Sequence, residues 1–325
     1  MKKRVLSGIR ATGRLHLGNY FGAVQGMLEL QNNPEYETLY MVADLHTVTT
    51  PYTVEELRQN RREVFLEYLA CGLDPEKSIL FFQSDVAEHT ELAFYFSSVA
   101  TIARMSHLPT YKDKVKQYPH DNTMALLNYP ILMAADILLY KAGLVPVGVD
   151  QEPHLEVARE VARKMNEKYG LQFPEPTRFM TKGEYIPSLK GEGKMSKSVE
   201  GSFINLMDSQ EAVLKKVRSI PTATTAGGEM SGGVKSLFAL GELFLSDELA
   251  GFTDAYESGT LQFSSMKDAL AHAISTVLQP IQLRYNNLVQ NEKQVDEIIQ
   301  SGAEKARQIA KTTVAEVKTA MGLRS

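Results

Sequence analysis

Over roughly the first 150 residues, short β-like runs alternate with helical stretches, and few folds accept that alternation. Runs at 5–9, 38–42, 79–83 and 145–147 are separated by helix-length segments. That spacing predicts right-handed β-α-β crossovers and a parallel α/β sheet. The clearest helix opens at Thr53, where Thr53-Val54-Glu55-Glu56 forms a capping box. It carries Leu57, Val64, Phe65, Tyr68 and Leu69 inward and stops at Gly72. Another helix is expected from Glu152 to Tyr169. Residues 171–203 turn rich in Pro and Gly, which predicts a mobile loop. Beyond it the pattern is helical, with breaks at 222–233 and around Gly259. Helices from Ser246 onward, over 267–287 and over 295–321 read as an all-α unit. The expected division is an α/β domain over 1–205 and a helical domain over 206–325. No internal repeat or low-complexity tract stands out.

Two segments nearly 180 residues apart carry the chemistry. In Ser7-Gly8-Ile9-Arg10-Ala11-Thr12-Gly13-Arg14-Leu15-His16-Leu17-Gly18-Asn19-Tyr20, a Gly-rich turn and a His lie between a β-like run and an apolar helix. Phosphate groups dock at that place on an α/β sheet, because the helix starting near Leu17 points free N–H groups outward. His16 and Asn19 are placed one turn apart on one face. An ordinary strand-to-helix turn with a capping Asn fits the same residues. The second segment, Lys194-Met195-Ser196-Lys197-Ser198, sets two lysines three apart, flanked by Gly191, Gly193 and Gly201. A loop of that kind can close cations over a substrate, and a solvated surface loop fits it equally well. Taken together the segments read as two halves of one polyphosphate clamp. No Walker-type phosphate loop and no G-x-G-x-x-G is present.

The pair resembles the two signature motifs of the class I aminoacyl-tRNA synthetases, the first as L-H-L-G-N and the second as K-M-S-K-S. A third stretch resembles the tryptophanyl branch of that family. It runs from Tyr129-Pro130-Ile131-Leu132-Met133-Ala134-Ala135-Asp136 to Tyr140, followed by Val145-Pro146-Val147-Gly148-Val149-Asp150-Gln151. Ala43-Asp44-Leu45-His46, the 71–78 segment and the run from Arg104 to Lys114 agree, so the resemblance covers the chain almost end to end. It implies a Rossmann-like doubly wound parallel sheet, the class I catalytic domain, carrying the mobile lysine-motif loop. A C-terminal all-α domain that binds the tRNA anticodon follows.

Asp136 gives the resemblance a physical basis. A carboxylate in the apolar run 131–139 needs a donor facing it. An indole has one N–H donor and no acceptor, so a lone carboxylate beside Met133, Val145 and Val147 suits it. Pairing with a nearby Arg, or capping a backbone amide, is the other reading. Tyrosine enzymes share the fold and both signatures, but they carry a hydroxyl reader in this helix, where here Ala134 and Ala135 precede Asp136. Two positions depart from the family. Val149 stands where Glu is usual, and Arg10 stands where many relatives have Gln, a place near phosphate oxygens that suits a cation.

The resemblance implies a ligase that activates L-tryptophan with ATP, releases pyrophosphate, and loads the amino acid onto tRNA(Trp). Lys194, Lys197, His16 and Asn19 would be catalytic. ATP would meet Arg10, Ala11, Thr12, Gly18, Asn19, Gly148, Val149, Asp150, Ile186, Lys194, Met195, Ser196, Lys197 and Ser198. Tryptophan would meet Asp136, Tyr129, Met133, Val145, Val147, Gln151 and His46. Mg²⁺ would arrive with ATP, with no protein metal cluster, and the family implies a homodimer. A pantothenate-synthetase-like or cytidylyltransferase-like enzyme shares the fold, but the helical tail and the lysine motif argue against it. A silent relative that only binds RNA is the remaining alternative.

Composition fits. At 325 residues, 43% apolar and 23% charged, the chain is an ordinary globular one. Cys71 alone builds no disulfide framework, and the basic start is followed by too short an apolar run for a signal peptide, so a cytoplasmic protein without a membrane span is expected. A formal charge of −4 is compatible with RNA binding if cations cluster locally. Lys112, Lys114 and Lys116, then Lys215, Lys216 and Arg218, are the candidate clusters, and solvated helix faces are the other reading of each.

Overall fold

The structure is a computed structural model that describes residues 2–180, 185–197, 199–222 and 226–324. In chain order its first half runs β1 (Lys3–Ile9), α1 (Leu17–Asn19), a π-helical turn (Tyr20–Val24), α2 (Gln25–Gln31), β2 (Tyr36–Val42), a 3-10 turn (Leu45–Thr49), α3 (Val54–Cys71), β3 (Ser78–Phe82), a second 3-10 turn (Gln83–Asp85), α4 (Glu88–Ser97), α5 (Ile102–Ser106) and α6 (Pro109–Gln117). It continues with α7 (Met124–Leu139), β4 (Leu144–Pro146), a third 3-10 turn (Val149–Gln151), α8 (Glu152–Tyr169), β5 (Thr177–Phe179), α9 (Gln210–Arg218), α10 (Gly232–Phe244), α11 (Leu249–Glu257), α12 (Phe263–Gln290) and α13 (Glu292–Ala320). Two compact units emerge. One holds Met1–Gly13, Gly26–Thr181 and Leu288–Ser325, the other Arg14–Gln25 and Lys182–Asn287.

The first unit is built on a parallel sheet of order β3-β2-β1-β4-β5. The order reverses between β1 and β4, so the carboxyl ends of these two strands, at Arg10 and at 147–151, form the crevice where such sheets take ligands. Tyr68, fully buried on α3, fastens β1 to β2 there: its hydroxyl donates to the Met41 carbonyl at 3.1 Å and accepts from Ile9 N–H at 2.8 Å. α3 begins and ends as its sequence predicts, with Thr53 and Glu56 capping each other and Gly72 at φ 107°. Buried apolar residues of β1–β4, α4, α7, α8 and α13 make one continuous core.

α13 corrects the linear division at residue 205. Its helical period is plain in the sequence, but its partner is the sheet unit, not the helices that precede it. Gly302 presses onto β3, where an added Cβ would stand 1.7 Å from the Leu80 carbonyl oxygen. Ala303, Ala306, Ala310, Val314 and Val317 continue that contact into the core. β5 is a second difference, a three-residue strand inside the stretch expected to be a loop. Residues 181–184 and Ser198 of that stretch lie outside the described residues.

The second unit gathers α1, its π-helical turn and the helices α9–α12 around Leu15, Leu17, Ile204, Leu206, Val217, Leu237 and Ile274. Residues 15–17 and 204–206 form a short antiparallel ladder, with Leu17 N–H donating to Ile204 and Leu206 N–H to Leu15, each at 2.9 Å. Among the described residues no helix is long and apolar enough to cross a membrane.

Gly302→Ala should therefore destabilise the fold by about 3 kcal/mol or more, since a backbone atom and not a flexible side chain blocks the methyl group. Gly251→Ala in α11, where nothing lies within 4 Å, should stabilise by roughly 0.5–1 kcal/mol. Urea unfolding of the two variants measures both signs.

Candidate active site

In the first unit, Asp136 is wholly enclosed, 1% exposed in the middle of α7. It is not a lone carboxylate, and among the described residues neither an Arg nor a backbone amide is its partner. Oδ1 accepts from Gln83 Nε2 at 2.8 Å and from His89 Nδ1 at 2.6 Å, and Oδ2 accepts from His46 Nε2 at 2.8 Å. Burial alone would raise its pKa, but the hydrogen bonds and charge of His46 and His89 outweigh burial and bring it down to about 2. The carboxylate is thus ionised, and Oδ2, with one donor, keeps an acceptor position for a further one. The network continues through His89 Nε2 to the Tyr140 hydroxyl at 2.8 Å.

The 3-10 turn after β2 brings His46 into place. Asp44 caps this turn by accepting from Leu45 N–H, and it also accepts from Ser84 N–H and Oγ and pairs with Arg61. Gln83 Oε1 takes Leu45 N–H as well, so one hub aligns two of the three donors on Asp136. The ring of Tyr129 lies edge-on to His46 at 6.3 Å. Its hydroxyl donates to Thr110 Oγ1 at 2.9 Å and meets His154 Nε2 at 2.8 Å. His154 Nδ1 then contacts Gln151 Oε1 at 3.0 Å, and Gln151 Nε2 donates to Asp150 at 2.7 Å. Burial, then the neighbouring His46, holds His154 at a pKa of about 4, so it is a neutral ring that donates from Nδ1.

Arg10 leaves β1 at the reversal of strand order. Its Nη2 donates to Thr50 Oγ1 at 2.9 Å, while its Nε is buried with no hydrogen-bond partner among the described residues. Burial lowers the pKa of Arg10, and burial together with the charge of Arg10 lowers that of Lys114. A desolvated cation beside a second one is a receptor for an anion. Ala11 N–H donates to Thr47 Oγ1, while Thr12 is exposed. A Cβ at Gly148 would stand 2.6 Å from Asp150 Oδ1, so a larger residue there would push that carboxylate aside. Val149 is 62% exposed, Met133 and Val147 are half-buried against the core, and Val145 lies inside it.

The second unit holds the signature residues. Asn19 caps the turn: its Oδ1 accepts from His16 N–H at 3.2 Å, which leaves its amide N–H groups to donate to another partner. At Gly18 a Cβ would meet the His16 ring at 2.8 Å and Met195 Cβ at 3.3 Å, so any larger residue would have to displace the ring. Met195 is buried, and its N–H donates to the Ile186 carbonyl at 2.9 Å. Lys194 faces Pro187 in an antiparallel bridge. Ser196 is tied to Ser202, whose Oγ donates to the Ser196 carbonyl at 2.7 Å. Burial, then the charge of Lys197, brings His16 down to about 4, so a neutral imidazole stands near an ammonium group. Its Nδ1 is buried without a hydrogen-bond partner among the described residues. Ser198 lies outside the described residues.

Of the two basic clusters, the second is largely spent within the protein. Arg218 grips Asp268 through two nitrogens, and Lys216 donates to Asp208 at 2.6 Å; Lys215 is exposed. On α6, Lys112 and Lys116 are exposed, and Lys114, which feels the charge of Arg10, donates to Gln117 Oε1 at 2.9 Å. Sequence reasoning missed Gln83, His89, Thr110 and His154, and named Lys114 only as a member of a basic cluster. A signal existed for two of them, since Gln83 ends an apolar strand and His154 lies on the apolar stripe of α8 with Leu155, Ala158 and Val161.

Comparison with known proteins adds the following. The family described as tRNA synthetases class I (W and Y) matches residues 1–279. The tryptophan–tRNA ligase of Porphyromonas gingivalis is 40% identical over 98% of this chain and 99% of its own length. That of Treponema pallidum is 40% identical over 98% and 97%. Among solved structures, tryptophanyl-tRNA synthetase from Campylobacter jejuni complexed with ADP and tryptophan superposes with a TM-score of 0.87 at 32% identity, covering 98% of this chain and 99% of that one.

His16 and His154 make stability depend on pH. Both have folded values of about 4 against 6.5 in an unfolded chain, so the unfolded state binds the extra protons. Their contribution is complete above pH 6.5 and is lost as pH falls toward 4, with a combined slope of up to about 2.7 kcal/mol per pH unit. Asp136 adds nothing in that window, because its titration moves from 3.8 to about 2. Urea unfolding at several pH values should give this slope, and His154→Gln should remove about half of it.

Proposed function

This chain belongs to the class I tRNA synthetases of the tryptophan and tyrosine type and joins tryptophan to tRNA, and from that premise we propose how its two units divide the work. The tryptophan carboxylate attacks the α-phosphate of ATP, forming the mixed anhydride tryptophanyl-adenylate while the bond to pyrophosphate breaks. A terminal ribose hydroxyl of tRNA(Trp) then attacks the adenylate, and AMP leaves. The observation that carries the residue assignment is the enclosed, ionised Asp136 with acceptor capacity left at Oδ2. The single N–H of an indole suits that capacity.

His46, Met133 and Val147 line the same pocket in this reading, and Val145 supports it from the core. Tyr129 and Gln151, already oriented by His154, take the α-amino group. Gly148, Val149 and Asp150 take the ATP ribose; Val149 serves through its backbone alone, which makes the usual Glu dispensable. Arg10 with Ala11 and Thr12 meets phosphate oxygens, and Lys114 joins them. In the second unit, neutral His16, the Asn19 amide and the Gly18 approach hold phosphates. Ile186, Met195, Ser196 and Ser198 frame the nucleotide, while Lys194 and Lys197 neutralise charge growing on pyrophosphate. Positioning and charge stabilisation account for most of such an acceleration.

Imidazole N–H, amide N–H and ammonium groups suit phosphate oxygens, whereas Mg²⁺ takes oxygen ligands. Mg²⁺ enters in this reading as the companion of ATP. The helices α9–α12 are the natural place for the tRNA anticodon, with Lys112 and Lys116 as further phosphate contacts. A homodimer is the working form, and Phe94, Ile102 and Met124, 77%, 71% and 72% exposed on α4, α5 and α7, fit a second copy. The cytoplasm is the compartment.

Pyrophosphate exchange into ATP, run with each of the twenty amino acids, tests the assignment. Exchange with tryptophan alone is expected, whereas exchange with tyrosine would overturn the reading of Asp136. Lys197→Ala should slow exchange by about 10²–10³ with little change in tryptophan affinity, and a loss under roughly tenfold would remove its transition-state role. Asp136→Asn should weaken tryptophan binding roughly 10- to 100-fold in equilibrium dialysis and leave ATP binding nearly intact. If ATP affinity collapses instead, Asp136 is structural.

A further inference from the structure

The segment that leaves the lysine motif returns to His16 and is fastened there by residues that neither motif contains. Phe203 packs its ring 5.5 Å from the His16 imidazole. Behind it, the Lys216 ammonium lies 5.3 Å from the Phe203 ring centre, within the range where a cation is drawn to an aromatic face. Lys216 donates to Asp208 Oδ2 at 2.6 Å, and that same oxygen accepts Asn205 N–H at 2.8 Å. Asn205 is the backbone bridge partner of His16. One ion pair thus holds both neighbours of Ile204, Phe203 through its ring and Asn205 through its amide. Gln282 braces the segment from α12, its Nε2 donating to the Leu206 and Asp208 carbonyls at 2.9 Å each.

The lysine motif is anchored at the same place. Ser202, the residue before Phe203, closes the motif loop by donating to the Ser196 carbonyl at 2.7 Å, next to Lys197. A shift of Phe203 would therefore be felt at His16 and at the loop that carries Lys197. The pair is partly buried, with the side chains of Lys216 and Asp208 28% and 14% exposed, so solvent competes with it only in part.

We infer that Lys216 is a positioning residue for the activation step: held by Asp208, its ammonium fixes Phe203 against His16 and so sets the geometry of the phosphate half-site. This rests on the reading of His16 as a phosphate-site residue. It also separates Lys216 from the surface cations among which its sequence context placed it, because its charge is directed inward to an aromatic ring and a carboxylate. No substrate contact is assigned to it.

The test uses the full chain and tryptophan-dependent pyrophosphate exchange, with Lys216→Met, Lys216→Arg, His16→Gln and the double variant His16→Gln/Lys216→Met. Lys216→Met keeps the length of the stem and removes the charge. It should lower kcat roughly 10- to 100-fold, the scale of a sub-ångström to ångström misplacement, while KM for tryptophan stays within about twofold. Lys216→Arg should recover most of the loss, since a guanidinium both stacks on an aromatic ring and pairs with a carboxylate. In the His16→Gln background, Lys216→Met should have little further effect, because the group it positions is gone. A kcat within about twofold of the parent, an equal loss in both backgrounds, or a matching rise in KM for tryptophan would each overturn the inference. If His16→Gln slows exchange and Lys216→Met does not, only this inference fails. If His16→Gln leaves kcat unchanged, the reading of His16 fails and takes the inference with it.

Discussion

Burying an ionised carboxylate costs several kcal/mol unless donors replace its water, and Asp136 imposes that requirement on the whole sheet unit. Its three donors come from three places: His46 from the turn after β2, Gln83 from the end of β3, and His89 from α4. None of these elements can slide along α7 without stripping a donor from a charge that is 1% exposed. The constraint then spreads. Gln83 must also serve Leu45 N–H, and His89 must reach the Tyr140 hydroxyl, while the Tyr140 carbonyl accepts from Arg4 at the start of β1. A single buried charge in this way fixes the register among helices and strands that apolar packing alone would leave looser.

What could be read from the chain followed the range of the interactions involved. The capping box at Thr53, the stop at Gly72, the helix Glu152–Tyr169 and the short β runs all depend on neighbours a few residues away, and each lies where its residues predict. α13 illustrates the limit. Its period marks it as a helix, but its attachment to the sheet depends on Gly302 meeting the Leu80 carbonyl across more than 200 residues of chain, which no local pattern records. β5 is three residues long and leans on pairing with β4, so its propensity is outweighed by the Pro and Gly around it. At the site, the apolar setting of Asp136 was legible, but its partners were not. They approach from loops and helices whose spatial adjacency comes from the sheet order. The basic run at 215–218 was misleading for the same reason, since Asp208 and Asp268, which absorb two of its charges, lie on other segments.

The histidines divide according to their surroundings. His16 and His154 are both held neutral near neutral pH by burial, with Lys197 near the first and His46 near the second. A neutral ring can donate at one nitrogen and accept at the other, and His154 uses both, accepting from the Thr110 hydroxyl at Nε2 while donating from Nδ1 to Gln151. An imidazolium would lose that acceptor and break the chain of contacts that orients Gln151. A site that recognises an ammonium group through Tyr129 and Gln151, as proposed, is therefore best served by keeping His154 uncharged. A cation there would repel the substrate and disturb the two groups that meet it.

The distribution of unneutralised cations says more about the reaction than the net charge does. Arg61, Arg104, Lys216 and Arg218 each face a carboxylate, from Asp44, Glu160, Asp208 and Asp268 respectively, and their fields are largely cancelled within the protein. Arg10 is different. Among the described residues its Nη2 donates to the Thr50 hydroxyl and its Nε is buried without a hydrogen-bond partner, and its charge acts on a second cation, Lys114. Keeping two desolvated cations together raises the energy of the unliganded protein, and an anion relieves that energy on arrival. Among the described residues no carboxylate pairs with Arg10. Arg10 therefore stabilises the pocket only when an anionic substrate group is present, which ties the affinity of that position directly to the charge the substrate carries.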